Sequence, residues 1–378
     1  MTTARRRGAC RCLAAAGIAV VLAACAGPPR IPWSATLEPW PEAELGAPDW
    51  IDGRAGFRNL FCTINRTRGA ELPDHRPCEQ TLLRVEPEPP IAELDLVLEP
   101  STSGLRALLV PGVAFACVRA WLDEDQAGPR HAESQGFEVG LVPVEGLSSS
   151  ARNAMFVRDA ILAQPADAGP LVLIGYSKGA NDILETLFRY PEAAARVSAV
   201  VAYAGAVRGS PLAEAFDPNT FNQVRHLPGA DCDGGDGGAL ESLRPEVRAA
   251  RLEAHALPAH IRTYSVVGFP EPDRVSAGLR HSWKKLGRLR DARNDSQLVY
   301  YDQIIPGSTV LAFANADHWA MAVPVARHHD LPALVYATDN DFPREVMLEA
   351  ILRTVDTDLA ADGAMDRSVG RRSRDTAR

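Results

Sequence analysis

The sequence has no excess of positive charge, no Cys-x-x-Cys pair or cysteine–histidine cluster, no internal repeat, and an apolar run, "LAAAGIAVVLAA", of only twelve residues. Each absence excludes something. Forty basic residues stand against 48 acidic ones, a net charge of −8, so nothing attracts the chain broadly to nucleic acid or to anionic lipid. Without paired cysteines and histidines there is no zinc signature, and no metal or organic cofactor is expected. Twelve apolar residues are too few to span a bilayer as a helix. What remains is an ordinary globular balance, 46% hydrophobic and 23% charged over 378 residues. That composition rules out disorder along the whole length and allows one large core.

The short apolar run follows "MTTARRRGACRC", which carries four arginines and no acid, and it ends at Leu22-Ala23-Ala24-Cys25. A basic start, a short apolar stretch and small residues before a boundary make an export signal. "LAAC" resembles the bacterial lipobox, in which the cysteine thiol receives a diacylglycerol before cleavage. That resemblance implies a signal peptide over 1–24 and a lipid anchor on Cys25. The alternative is an ordinary signal peptide with Cys25 as a bystander. Removing residues 1–24 leaves 36 basic against 48 acidic side chains, a net charge of −12, so attachment to a membrane would rest on the lipid. Ala26 after the cysteine is, by resemblance to sorted lipoproteins, compatible with the periplasmic face of an outer membrane.

Four cysteines follow Cys25, namely Cys62, Cys78, Cys117 and Cys232, an even number suited to an oxidising compartment. Three pairings are possible. The local one, Cys62 with Cys78, is the one expected, which leaves Cys117 with Cys232. Residues 25–50 are rich in proline and polar residues, as a tether would be. Residues 361–378 are charged, lack apolar periodicity, and read as a disordered tail.

Between them, over 51–360, short apolar runs alternate with helical patterns. Strands are expected at 93–98, 105–110, 137–144, 170–175, 197–205, 261–268 and 308–314, and helices at 151–164 and 181–190. Such alternation predicts an α/β fold with a mostly parallel sheet covered on both faces. In "PLVLIGYSKGANDILETLFRYP" the run from Pro170 breaks at Gly175-Tyr176-Ser177-Lys178-Gly179 and resumes with helical period. Strand, Gly-x-Ser-x-Gly and helix together make a nucleophile elbow, with Ser177 on the turn. A serine hydroxyl is a weak nucleophile and needs a base, itself oriented by an acid.

These motifs resemble the α/β-hydrolase superfamily over roughly residues 90–330, and in particular its bacterial serine esterases and lipases. The chain order Ser, Asp or Glu, His is then implied. His318, in "FANADHWAMAVP", directly follows the last expected strand and is the base that the resemblance implies. His281, His328 and His329 lie in charged helical or loop surroundings. For the acid, Asp295 in "ARNDSQLVYYDQIIPGS" is preferred, then Asp273, then Asp302. The stretch is similar to the "NDG-x-V" segment of bacterial lipases, with Ser296 where glycine is usual. Backbone N–H groups of Lys178 and Val113 are the candidate oxyanion donors, the second because Pro111-Gly112-Val113 resembles the His-Gly-x turn of lipases. "AGAVRGSPLAEAF" is similar to the "P-x-x-GSPLA" segment of the same enzymes. An insertion over about 212–258 sits where relatives carry a lid. Its Asp231, Asp233 and Asp236 fail the EF-hand spacing, since the twelfth position is Ser242.

The expected function is cleavage of a carboxylic ester, lipid or otherwise, through an acyl-enzyme on Ser177. The alternatives are acyl transfer by the same residues, and a catalytically silent scaffold or ligand-binding lipoprotein on a hydrolase fold.

Overall fold

A computed structural model of the protein describes residues 33–35, 50–85, 87–90, 96, 98–115, 127–166, 168–215, 234–327 and 337–375. The proposed signal, Cys25, most of the tether, Cys117, Cys232, Asp231, Asp233, His328, His329, residues 216–233 of the insertion and most of the strand expected at 93–98 lie outside the described residues. Seven strands form one sheet: β1 (Ile51–Asp52), β2 (Arg106–Val110), β3 (Glu138–Leu141), β4 (Leu171–Tyr176), β5 (Ala199–Tyr203), β6 (Arg262–Gly268) and β7 (Thr309–Ala314). Their order is β1-β7-β6-β5-β4-β2-β3, and every pairing is parallel. Six of the seven coincide with expected apolar runs. β1 is two residues long and exposed, too short for any periodicity to mark it.

Side chains alternate between the faces because a strand's period is two. On one face Ala107, Val172, Ile174 and Val201 pack with α1 (Arg54–Arg68) and with a long C-terminal helix, and α2 (Ala127–Ser134) adds Ala132. On the other, Leu108, Val110, Leu173 and Val200 meet α3 (Ser150–Leu162) and α4 (Lys178–Arg189). Both layers bury β5 and all of β4 but Tyr176 at its end, which is why those strands read as unbroken apolar runs rather than as alternation.

At both ends of the domain the structure adds contacts that the sequence does not mark. Residues 361–375 were expected as tail, but they continue the C-terminal helix, Arg344–Asp375. Arg262 reaches Asp362 through Nη2, at 2.6 Å from Oδ1, and fastens that extension to β6. Near the other end, Trp33 of the supposed tether packs with Trp50 against a cluster containing Phe269 and Phe313. The Cys62–Cys78 disulfide is present, with Cα atoms 5.3 Å apart; it joins α1 to the one-turn helix Cys78–Thr81. The described part of the insertion holds α5 (Pro245–Ala254), which stands beside α4 and the loop after β5.

The chain runs outward from β2 to β3 and returns to place β4 on the other side of β2. Such a reversal opens a crevice at the carboxyl ends of the two strands, where open α/β sheets bind ligands. Pro111-Gly112-Val113 leaves β2 there, and Ser177 leaves β4 there.

Candidate active site

Ser177 has φ 54° and ψ −124°, a left-handed backbone that a non-glycine residue adopts only when its surroundings hold it. The glycines of the motif make room for the turn. A side-chain carbon at Gly179 would sit 2.0 Å from the Val110 carbonyl oxygen, and one at Gly175 would sit 2.5 Å from Ala180 Cα. Strand and helix therefore approach closely enough to lift Ser177 out of the sheet. Its N–H donates to Tyr203 O at 3.2 Å, and its carbonyl accepts from Ala180 and from Ala206.

His318 opens a short helix, α6 (His318–Ala322), directly after β7. Its Nε2 lies 2.9 Å from Ser177 Oγ and its Nδ1 2.7 Å from Asp295 Oδ2. A carboxylate can only accept, so Nδ1 carries the proton and Nε2 is left to accept from the serine hydroxyl. Asp295 is fully buried. Its Oδ1 accepts the N–H groups of Gln297 and Leu298 at 2.9 and 2.7 Å, and its own carbonyl accepts from the His318 N–H at 2.8 Å. Each member of the trio is thus fixed by backbone as well as by its neighbour.

The three candidate acids separate cleanly. Asp295 hydrogen-bonds His318; Asp273 is exposed on a 3-10 turn; Asp302 is buried on another, Tyr300–Gln303. His281 is exposed on another helix. Ser296, standing where glycine is usual, has φ 85°, the conformation for which glycine is the default residue. Asp302 touches neither Ser177 nor His318 among the described residues. Burial pushes its carboxyl up to about 7 from an ordinary 3.8, against the charges of Arg208 and Arg290. Between those two values the folded state keeps a proton that the unfolded chain has lost. The stability contributed by this group is therefore full below about pH 4 and lost as pH rises through about 7. Asp302→Asn is expected to raise the melting temperature at pH 8.5 and leave it nearly unchanged at pH 4; equal shifts at both, read by calorimetry, would contradict this.

The Pro111-Gly112-Val113 turn abuts the nucleophile: a side-chain carbon on Gly112 would lie 2.8 Å from Ser177 Cβ and 3.3 Å from its Oγ. Among the described residues neither the Val113 nor the Lys178 N–H donates to an internal acceptor. The loop is held from behind by the Ala114 N–H, which donates to Gly146 O at 2.9 Å. The Lys178 side chain turns into the core instead. Its Nζ donates to Asp182 Oδ1 at 2.7 Å, and Asp182 Oδ2 accepts from Asn153 at 2.8 Å, both buried. Ser210 of the "GSPLA" stretch donates to the Gln297 carbonyl at 2.5 Å, tying the loop after β5 to the loop of the acid.

Two tyrosines escaped the sequence reading. Tyr176 Oη donates to His318 O at 2.6 Å, and Tyr203 Oη to Met321 O at 2.7 Å, so the ends of β4 and β5 grip both ends of α6. Burial raises both phenols above their ordinary value, which keeps them as donors. The Tyr176 ring also lies 5.0 Å from the His318 ring. Tyr176 also borders a cavity of about 250 Å³, with Pro111, Leu109, Ile174, Tyr203 and Leu348 among its walls. No group of three or more acidic, histidine or cysteine side chains able to hold a metal occurs among the described residues.

A parallel sheet, a strained serine on the turn after β4 and a histidine after the last strand define the α/β-hydrolase fold. Among solved structures, the chain is similar to a metagenomic carboxyl esterase, with 35% identity and a TM-score of 0.76 over 90% of this chain and 99% of that one. The chain belongs to the α/β-hydrolase superfamily, with its carboxyl esterases and lipases. A mature lipase of Bacillus licheniformis is 19% identical over 60% of this chain and 90% of its own, at a TM-score of 0.46. Lipase 1 from Pelosinus fermentans is 10% identical over 67% and 99%, at 0.49. No protein-family model and no curated protein matches the sequence.

Proposed function

We propose that the protein hydrolyses carboxylic esters through an acyl-enzyme on Ser177. The observation that carries this reading is the continuous chain from Ser177 Oγ to His318 to Asp295. Ser177 Oγ attacks the acyl carbon while His318 Nε2 takes its proton, and the imidazolium is stabilised by Asp295. The carbonyl oxygen, now negative, is received by the Val113 and Lys178 N–H groups. The protonated His318 gives its proton to the departing alkoxide, leaving the acyl group on Oγ. Water then attacks with the same histidine as base, releasing the acid and restoring the serine. Water as acceptor accords with the carboxyl esterase of similar sequence. The cavity, mostly apolar but with Arg327, Arg344 and Glu345 in its wall, shares Pro111 and Tyr176 with the site's surroundings and supports an ester with an apolar acyl chain.

A common acyl-enzyme makes product partition independent of the leaving group. With phenyl and p-nitrophenyl butyrate in hydroxylamine, the ratio of hydroxamate to butyrate is expected to be the same for both. A ratio that follows the leaving group contradicts the intermediate.

The first 25 residues support a second part of the proposal, that the enzyme is exported and anchored by a lipid on Cys25, on the periplasmic face of the outer membrane. No helix among the described residues is long and apolar enough to cross a membrane. Cys25→Ser is expected to move the protein from the membrane pellet to the soluble fraction of its native host type; retention in the pellet contradicts the anchor.

A further inference from the structure

Between α3, α4 and α5 of the insertion lies a second, open cavity of about 150 Å³, whose walls include Ser150, Glu185, Arg189, Ser242, Arg248 and Arg251. Three guanidinium groups there face one carboxylate. Glu185 accepts from Arg189 and takes two bonds from Arg251, at 2.7 and 3.0 Å, and none from Arg248. Arg248 is left over. It is 1% exposed; its Nε donates to the Val207 carbonyl at 3.1 Å, and its buried Nη2 meets no acceptor among the described residues. Glu185 and Asp182 act on it only through space, and burial draws its pKa down to about 10.

Ser150 is the second such group. It opens α3 and is 3% exposed; its N–H donates to Ser242 Oγ at 2.8 Å, and its own buried hydroxyl has no partner. Asp236 occupies the other side of this helix end, accepting the Ser149 N–H and hydroxyl, yet it bonds neither Ser150 Oγ nor Arg248. Buried polar groups in native proteins almost always find a partner, and two unpartnered donors on side chains that border one cavity call for an acceptor with several lone pairs. A planar guanidinium, a hydroxyl and a helix N-terminus are the groups that hold tetrahedral oxyanions.

We propose that this cavity binds a small oxyanion of the phosphate class, held by Arg248 Nη2 and the Ser150 hydroxyl at the N-terminus of α3. The site is linked to the nucleophile. Arg248 holds the carbonyl of Val207, and the preceding residue, Ala206, donates its N–H to the Ser177 carbonyl at 2.9 Å. Occupancy therefore bears on the segment that supports the elbow.

The test is thermal unfolding and calorimetric titration of the full folded domain, with inorganic phosphate and with glycerol 1-phosphate, against chloride at matched ionic strength. A saturable rise in melting temperature of about 2 °C or more is expected, abolished in Arg248→Gln and weakened about fivefold or more in dissociation constant in Ser150→Ala. Tighter binding of glycerol 1-phosphate marks a lipid headgroup or similar monoester as the source; tighter binding of inorganic phosphate marks the free ion. No saturable rise with either, or a rise equal in all three proteins, overturns the site. Should Arg248→Gln fail to fold, the Ser150→Ala constant decides: weakening supports the site and an unchanged value overturns it.

Discussion

Ser177→Ala is expected to lower kcat for ester hydrolysis by about 10⁵-fold or more, with KM and melting temperature nearly unchanged. The substitution removes one oxygen and keeps the Cβ, and the φ of 54° is as demanding for alanine as for serine, so the elbow is retained. What disappears is the bond between Oγ and His318 Nε2. The amides of Val113 and Lys178 remain and can still polarise a bound ester, so a small residual rate from direct attack of water is part of the expectation. Kinetics with p-nitrophenyl butyrate, run beside calorimetry, read both quantities. A loss below tenfold with the fold intact would remove Ser177 from the chemistry.

Asp295→Asn is the second large effect, a drop of about 10³- to 10⁴-fold in kcat, and its reason is a matter of donors and acceptors. Asp295 Oδ1 accepts two backbone N–H groups, from Gln297 and Leu298, while Oδ2 accepts from His318 Nδ1. An asparagine must turn its oxygen toward those two amides, which places its NH₂ against Nδ1. His318 then has to accept at Nδ1 and carry its proton on Nε2, where it faces Ser177 as a donor and cannot take the serine proton. The geometry survives and the tautomer is wrong. The loss should therefore fall on kcat rather than on KM, and it should ease at high pH, where hydroxide can replace the missing base. A variant within tenfold of the parent at pH 7 would mean that Asp295 does not orient the imidazole.

Much of the site could be read from the chain because its parts are local. The elbow is a strand, a five-residue turn and a helix in succession, so Gly175, Ser177 and Gly179 declare it together. His318 follows the last strand by four residues, and Asp295 sits in a turn whose spacing matches a known segment. Asp273 and Asp302 competed with Asp295 because the choice depends on which carboxylate reaches the imidazole, a matter of tertiary placement. The hydrogen bonds from Tyr176 and Tyr203 to α6 span more than a hundred residues and leave no local pattern. The C-terminal helix was missed for a related reason: beyond residue 360 its sequence is charged, and what ties it down includes Arg262 of β6. Arg248 carries no mark of burial in its charged surroundings, and only packing reveals it as buried.

The most direct test of the central claim is covalent. A fluorophosphonate reacts with a serine only when a base has activated it, and intact mass followed by peptide mapping locates the adduct. For the chain without residues 1–24 and with Cys25→Ser, the account predicts one adduct per molecule on Ser177, absent in Ser177→Ala and strongly slowed in His318→Ala. A folded protein that stays unlabelled, or that labels on Ser177 equally fast without His318, would contradict it and return the protein to the silent hydrolase-fold scaffolds.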